Sequence, residues 1–174
     1  RSNTVGRFSD IPLLMYGERV EESGQPVLQY TVIFSNEDGG TSTRALMARW
    51  GRTTDIEYIY KVFLKPDGTM ARRTVQGPEH KELEYKGPFE DSHPLLMPVT
   101  DNNMVAGAVG STQRYQLAPS LVDLSGKSRE TVMDAYRYTY QVMAKELERE
   151  DKLRPFGVVA GQKISDLRNY AFID

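Results

Sequence analysis

Cysteine is absent from this chain of 174 residues, which excludes disulfides, thiolate catalysis and Cys-ligated zinc. The compartment stays open, since many exported bacterial proteins also lack cysteine. Histidine is scarce: His80 and His93 are the only two, and their spacing matches no metal motif. No apolar run approaches the roughly twenty residues needed to span a bilayer, so no transmembrane segment is expected. Charge of one sign is missing too. With 22 Lys and Arg against 24 Asp and Glu, interspersed along the chain, the net charge of -2 gives no broad field for nucleic acid or an anionic membrane. The patterns GxxxxGK[ST], GxSxG, HExxH and GxGxxG do not occur. Gly126-Lys127-Ser128 looks like the end of a phosphate loop, but position 121, where the upstream glycine belongs, is Leu121.

What is present is strand-forming. The chain opens on neither methionine nor a signal peptide, which reads as a mature form, a trimmed fragment or one domain of a longer protein. Its length suits a single domain over 1–174. Ile11 to Val20 and Val27 to Ser35, separated by EESGQP, predict a hairpin. Thr41 to Arg49 reads as extended, because Thr41, Ser42 and Thr43 resist helix. Ile56 to Leu64 is the clearest strand, turned by Pro66-Asp67-Gly68 onto a partner at Thr69 to Gln76. Gly77 to Ser92 is a charged surface loop. His93 to Thr100 and Thr112 to Leu117 are further short strands, with Gly157 to Ala160 and Asn169 to Ile173 at the end. Between them, Val132, Tyr136, Tyr140, Met143 and Leu147 fall on one helical stripe, predicting one long C-terminal helix over about 129–149. About eight strands and one helix point to a mainly β fold, an antiparallel β-sandwich, rather than a parallel βαβ sheet.

The chemistry concentrates at the start of the clearest strand. Side chains in a strand alternate faces, so Asp55 and Glu57 project to one side, about 7 Å apart, and Ile56, Tyr58, Tyr60 and Val62 to the other. Two such carboxylates suit a hard cation, Ca²⁺ or Mg²⁺, with Asp38 and Asp101, and also Glu37, as loop oxygens that complete the shell. The competing interpretation is a structural network in which they pair with Arg49, Arg52 or Arg73. A third uses them as acid and base on a sugar, with His93 or Glu79 nearby. Trp50, the only tryptophan, stands between Arg49 and Arg52, a stacking platform for a sugar or else a core indole.

The stretch ARWGRTTDIEYIYKV, followed by SHPLLMPVTDNNM, resembles two groups of β-sandwich proteins: the secreted necrosis-inducing proteins, with their GHRHDWE motif, and the vacuolar-sorting-associated family with a similar core and a later His-Pro strand. Gly51 matches the motif glycine, Asp55 and Glu57 its aspartate and glutamate, Ile56 its tryptophan, and His93-Pro94 the later strand, while Arg52-Thr53-Thr54 replace the motif histidines. The chain is also similar to uncharacterised bacterial proteins carrying SNEDGGT and ALMARWGRTTDIE. The resemblance implies a divalent cation on the acidic pair and a sphingolipid sugar headgroup as ligand. The expectation is therefore a non-enzymatic bacterial binding module, exported or surface-associated, for carbohydrate or glycolipid. Asp55, Glu57, Asp38 and Asp101 would sit on the metal, and Trp50, Arg52 and His93 on the ligand. A glycan-active enzyme and a structural or partner-binding domain are the alternatives.

Overall fold

The computed structural model describes residues 10–37, 41–108, 110, 112, 114–155, 157, 161 and 163–166. In chain order its strands are β1 (Pro12–Glu22), β2 (Gln25–Phe34), β3 (Asp55–Leu64), β4 (Met70–Gln76), β5 (Glu82–Glu84), β6 (Phe89–Glu90), β7 (His93–Pro94), β8 (Met97–Pro98), β9 (Val105–Ala106), β10 (Ser120–Leu121), β11 (Leu153–Arg154) and β12 (Ile164–Ser165). Three short helices accompany them: α1 (Thr43–Trp50), α2 (Glu130–Ala135) and α3 (Tyr138–Arg149). One six-stranded sheet dominates, in the order β10-β1-β2-β3-β4-β5. Every neighbour in it is antiparallel except β10, which runs parallel to β1. The pairs β6–β7, β8–β9 and β11–β12 are separate two-stranded ladders.

The first hairpin closes through Ser23 and Gly24, both at positive φ (52° and 75°), the backbone that matches a two-residue turn to the twist of its strands. Its register is uninterrupted from Leu14↔Ile33 to Glu22↔Gln25. β3 carries a bulge. Tyr30 faces Tyr60 while Thr31 faces Tyr58, so Ile59 is the extra residue, and a single inserted residue exchanges the faces of everything beyond it. Ile56 accordingly joins Tyr16, Ile33, Val132 and Met133 in one apolar cluster, whereas Tyr60 joins Val75, Tyr85 and Val105 in another, with Val62 packed against it. The expected alternation holds for Asp55, Ile56 and Glu57 but not for Tyr60 and Val62, which lie on the carboxylate face.

Three further expectations are corrected. Thr41 to Arg49 is not extended, because Ser42 caps a helix there: its Oγ accepts the Ala45 N–H at 3.1 Å. Gly51 ends that helix in the left-handed conformation (φ 67°), returning its N–H to the Met47 carbonyl, a position that favours glycine. The late helical stripe is divided rather than continuous. Tyr136 leaves helical geometry (φ -119°, ψ 66°) and its hydroxyl bonds Ser120 Oγ at 3.0 Å, so α2 and α3 are two helices. The stripe itself is inward: Val132, Met143 and Leu147 are buried, with Tyr136 and Tyr140 packed against the Tyr16 cluster. Thr112 to Leu117 forms no strand among its described residues, and pairing comes instead at Ser120–Leu121. Of the last two expected strands, 158–160 and 169–173 lie outside the described residues. No helix among the described residues is long and apolar enough to cross a membrane.

Candidate functional site

The N-terminal end of β3 is anchored from behind by thioethers. Thr53 N–H donates to Met143 Sδ and Thr54 Oγ1 to Met133 Sδ, both at 3.1 Å, which fixes where the strand begins and aims Asp55 away from the helices. Asp55 is only 2 % exposed. Asn103 Nδ2 donates to Asp55 Oδ2 at 2.7 Å and reaches the Asn36 carbonyl at 3.5 Å. Asn103 holds a positive φ of 57°, tolerated better by asparagine than by most residues, and that conformation turns its amide onto the strand. The network continues as Asn36 Nδ2 donates to Glu150 Oε1 at 2.9 Å, and Glu150 in turn pairs with Lys152.

Glu57 lies two residues on. Gln76 Nε2, at the end of β4, donates to Glu57 Oε2 at 2.8 Å and contacts His80 Nδ1 at 2.7 Å. Both ring nitrogens of His80 therefore meet side-chain amide groups, since Asn102 Nδ2 lies 3.4 Å from Nε2. His80 Nδ1 is 3.9 Å from Glu57 Oε2. Gln76 Oε1 is buried and meets no hydrogen-bond partner among the described residues.

The electrostatics are those of neighbouring, desolvated acids. Burial, then the neighbouring Glu37 and Glu57 charges, push Asp55 well above the ordinary carboxylate range. A hydrogen bond from Asn103 opposes the shift, and one to Glu37 adds to it. Glu57 is raised by burial and by Glu37, and drawn back by the Gln76 hydrogen bond and by the charges of His80 and Arg129. Arg129 itself donates to the Ile56 carbonyl at 2.5 Å.

The arginines proposed as partners are committed elsewhere. Arg52 is buried and donates from Nε to Glu130 Oε1 at 2.8 Å, and it also bonds the Thr54 carbonyl. Arg49 lies 4.7 Å and Arg52 5.3 Å from the Trp50 ring centre, and Arg73 lies over Phe89. Among the described residues no Arg or Lys forms a salt bridge to Asp55 or Glu57.

Of the expected metal ligands, Asp55 and Glu57 come together, and Glu37 joins them. Asp38 lies outside the described residues. Asp101 sits exposed in the turn between β8 and β9, whose Asn103 is the residue that reaches the strand. His93 does not belong to the cluster: it is exposed and pairs with Glu90 in the β6–β7 ladder. The histidine at the site is His80. Asn103, Gln76 and His80 carry no sequence signal for this role, since each arrives through strand pairing or a loop tip. Among the described residues no three Asp, Glu or His side chains are already arranged around a point that would hold a metal ion. Compared with family models, with curated proteins and with solved structures, the chain matches none.

Proposed function

We propose that the cluster of Glu37, Asp55 and Glu57 is a Ca²⁺ or Mg²⁺ site in an exported or surface-associated binding module, with a carbohydrate or glycolipid as its ligand. The observation that supports the cation is Asp55: a 2 % exposed carboxyl that faces two further carboxyls and is met by an amide rather than by Arg or Lys. Buried carboxylates are paired, protonated or bound to metal. The three carboxyls and the buried Gln76 Oε1 are hard oxygen donors of the kind Ca²⁺ and Mg²⁺ take. The binding-module reading is supported by the resemblance at Gly51, Asp55 and Glu57, and by the Trp50 ring with its two guanidinium neighbours at the entry to β3. In the same reading the β6–β9 ladders, seated on the Tyr60 face through Tyr85 and Val105, are the second layer of a sandwich.

A second reading, acid–base chemistry on a glycan, draws on the Glu37–Asp55 hydrogen bond, which requires one carboxyl to carry a proton. It ranks lower, because carboxyls in hydrogen-bond contact leave no room for a glycosidic bond, which needs them about 5 Å or more apart.

Calorimetric titration of the chelator-treated protein with CaCl₂ and with MgCl₂ tests the proposal. Wild type should bind one ion, and Asp55→Asn and Glu57→Gln should each lose binding while keeping a cooperative melt. A glycan screen run in Ca²⁺ and again in EDTA then tests the ligand class. Absence of binding heat and of any cation-dependent melting shift in wild type would sink the cation reading.

A further inference from the structure

Among the described residues nothing pairs with the outer edge of β1 beyond Gly17. β10 pairs only with Tyr16 and Gly17, and the last contact is the Val122 N–H donating to the Gly17 carbonyl at 3.0 Å. In the β1–β2 hairpin the two-residue turn makes Glu22–Gln25 the closing hydrogen-bonded pair. Strict alternation then gives the N–H and C=O of Val20 and Glu18 to β2, and turns those of Gly17, Arg19 and Glu21 outward. The Gly17–Val122 bond agrees with that assignment. Among the described residues no backbone hydrogen bond reaches the outward groups of Arg19 or Glu21.

From Val122 the chain swings away to Ser125 and encloses a groove of about 500 Å³ against Glu18, Arg19, Val20, Glu21 and Pro26. Its far wall is held in place. Val122 and Leu124 pack on the Tyr16 cluster, and the Ser125 N–H donates to Asp123 Oδ1 at 2.9 Å. Three carboxylates, Glu18, Glu21 and Asp123, face one guanidinium, Arg19, around this space.

We propose that this groove binds an extended, basic peptide segment, which adds to β1 as a further strand. A strand at the usual spacing of about 4.8 Å needs outward donors and acceptors on alternate residues, and Arg19 and Glu21 supply them. Lysine or arginine side chains of the added segment meet Glu18, Glu21 and Asp123, while its apolar side chains lie on Val20, Val122 and Leu124. The carboxylates give the groove its selectivity, since an acidic strand would offer the same backbone bonds but be repelled.

The test uses the whole chain, ¹⁵N-labelled, with a capped heptapeptide of alternating lysine and valine. The Arg19 and Glu21 amides should shift, and at about 90 % saturation their hydrogen exchange should slow about tenfold, since only the free fraction exchanges. A glutamate–valine peptide should cause neither effect. Arg19→Pro removes the outward donor without taking a bond from the β1–β2 ladder, so it should melt like wild type yet lose peptide binding. Should that variant fail to fold, Glu21→Lys with Asp123→Lys tests the charge alone and should abolish binding. Unmoved Arg19 and Glu21 amides at millimolar peptide, equal binding of the acidic peptide, or concentration-dependent shifts without peptide would each overturn the proposal. The last would show that the edge pairs with a second copy of the chain.

Discussion

β3 buries charge at both of its ends and treats it in opposite ways. Toward its C-terminal end Lys61, 7 % exposed, is bonded by Glu22 at 2.5 Å and Glu82 at 3.2 Å. Glu82 also takes Arg72 at 2.9 Å, and Tyr58 lies 4.3 Å from the ammonium. Burial alone would lower the Lys61 pKa, but the bonds it donates to Glu22 and Glu82 raise it. Burial alone would raise Glu82, but Arg72 and Lys61 hold it below the ordinary range. Every charge there is met by its opposite. At the N-terminal end Asp55 and Glu57 are met by amides and by another acid, and both are raised. Among the described residues no Arg or Lys forms a salt bridge to Asp55 or Glu57, and perturbed groups of this kind gather at functional sites.

The largest effect should come from breaking the balanced end. Lys61→Met keeps the stem but takes from Glu22 its ion-pair partner and leaves Glu82 with Arg72 alone. Because their side chains are about a third exposed (34 % and 29 %), the loss falls below that of a fully buried pair, at about 2–3 kcal/mol by denaturant unfolding. A loss under about 0.5 kcal/mol would mean that solvent already screens this network, as at an exposed pair.

A smaller change of opposite sign is expected at the other end. Asp55 and Glu57 hold protons more tightly folded than unfolded. Below about pH 4 both states are protonated and nothing is lost. As pH rises the unfolded chain ionises first, so stability falls until the folded groups ionise too. Asp55→Asn removes its share of that fall, so in chelator at pH 7 the variant should melt above wild type, with the gain disappearing near pH 4. Glu82 works in reverse: its lowered pKa contributes stability above the unfolded value that is lost as pH drops through the folded one. Lys61→Met should therefore flatten the acid limb, and Asp55→Asn the neutral limb. Exchange of those two signatures would dissolve the contrast.

Much of this arrangement was legible in the residues, for local reasons. The β1–β2 hairpin, the β3–β4 turn at Asp67-Gly68 and the shared face of Asp55 and Glu57 all follow from period-two patterning and turn chemistry. The α1 helix was not, because Thr41 and Thr43 masked a Ser42 cap whose force shows only with Gly51 closing the other end. The flip at Ile59 leaves no mark in composition, and without it Tyr60 falls on the wrong face. The arginine network was plausible from proximity in sequence, but Arg52 is turned instead to Glu130, 78 residues away. For the same reason the sequence does not single out His80: only the pairing of β4 with β5 carries it to Glu57.

The central claim, that buried Asp55 and partly buried Glu57 together bind a cation, is tested most directly by following their side-chain carboxyl ¹³C resonances as a function of pH, in EDTA and then in Ca²⁺. The account predicts midpoints above the ordinary carboxylate range in EDTA, with Asp55 the higher, and a fall of both when Ca²⁺ displaces the protons. Midpoints at or below the ordinary range in EDTA, unchanged by Ca²⁺, would show that the protein already neutralises this site by itself.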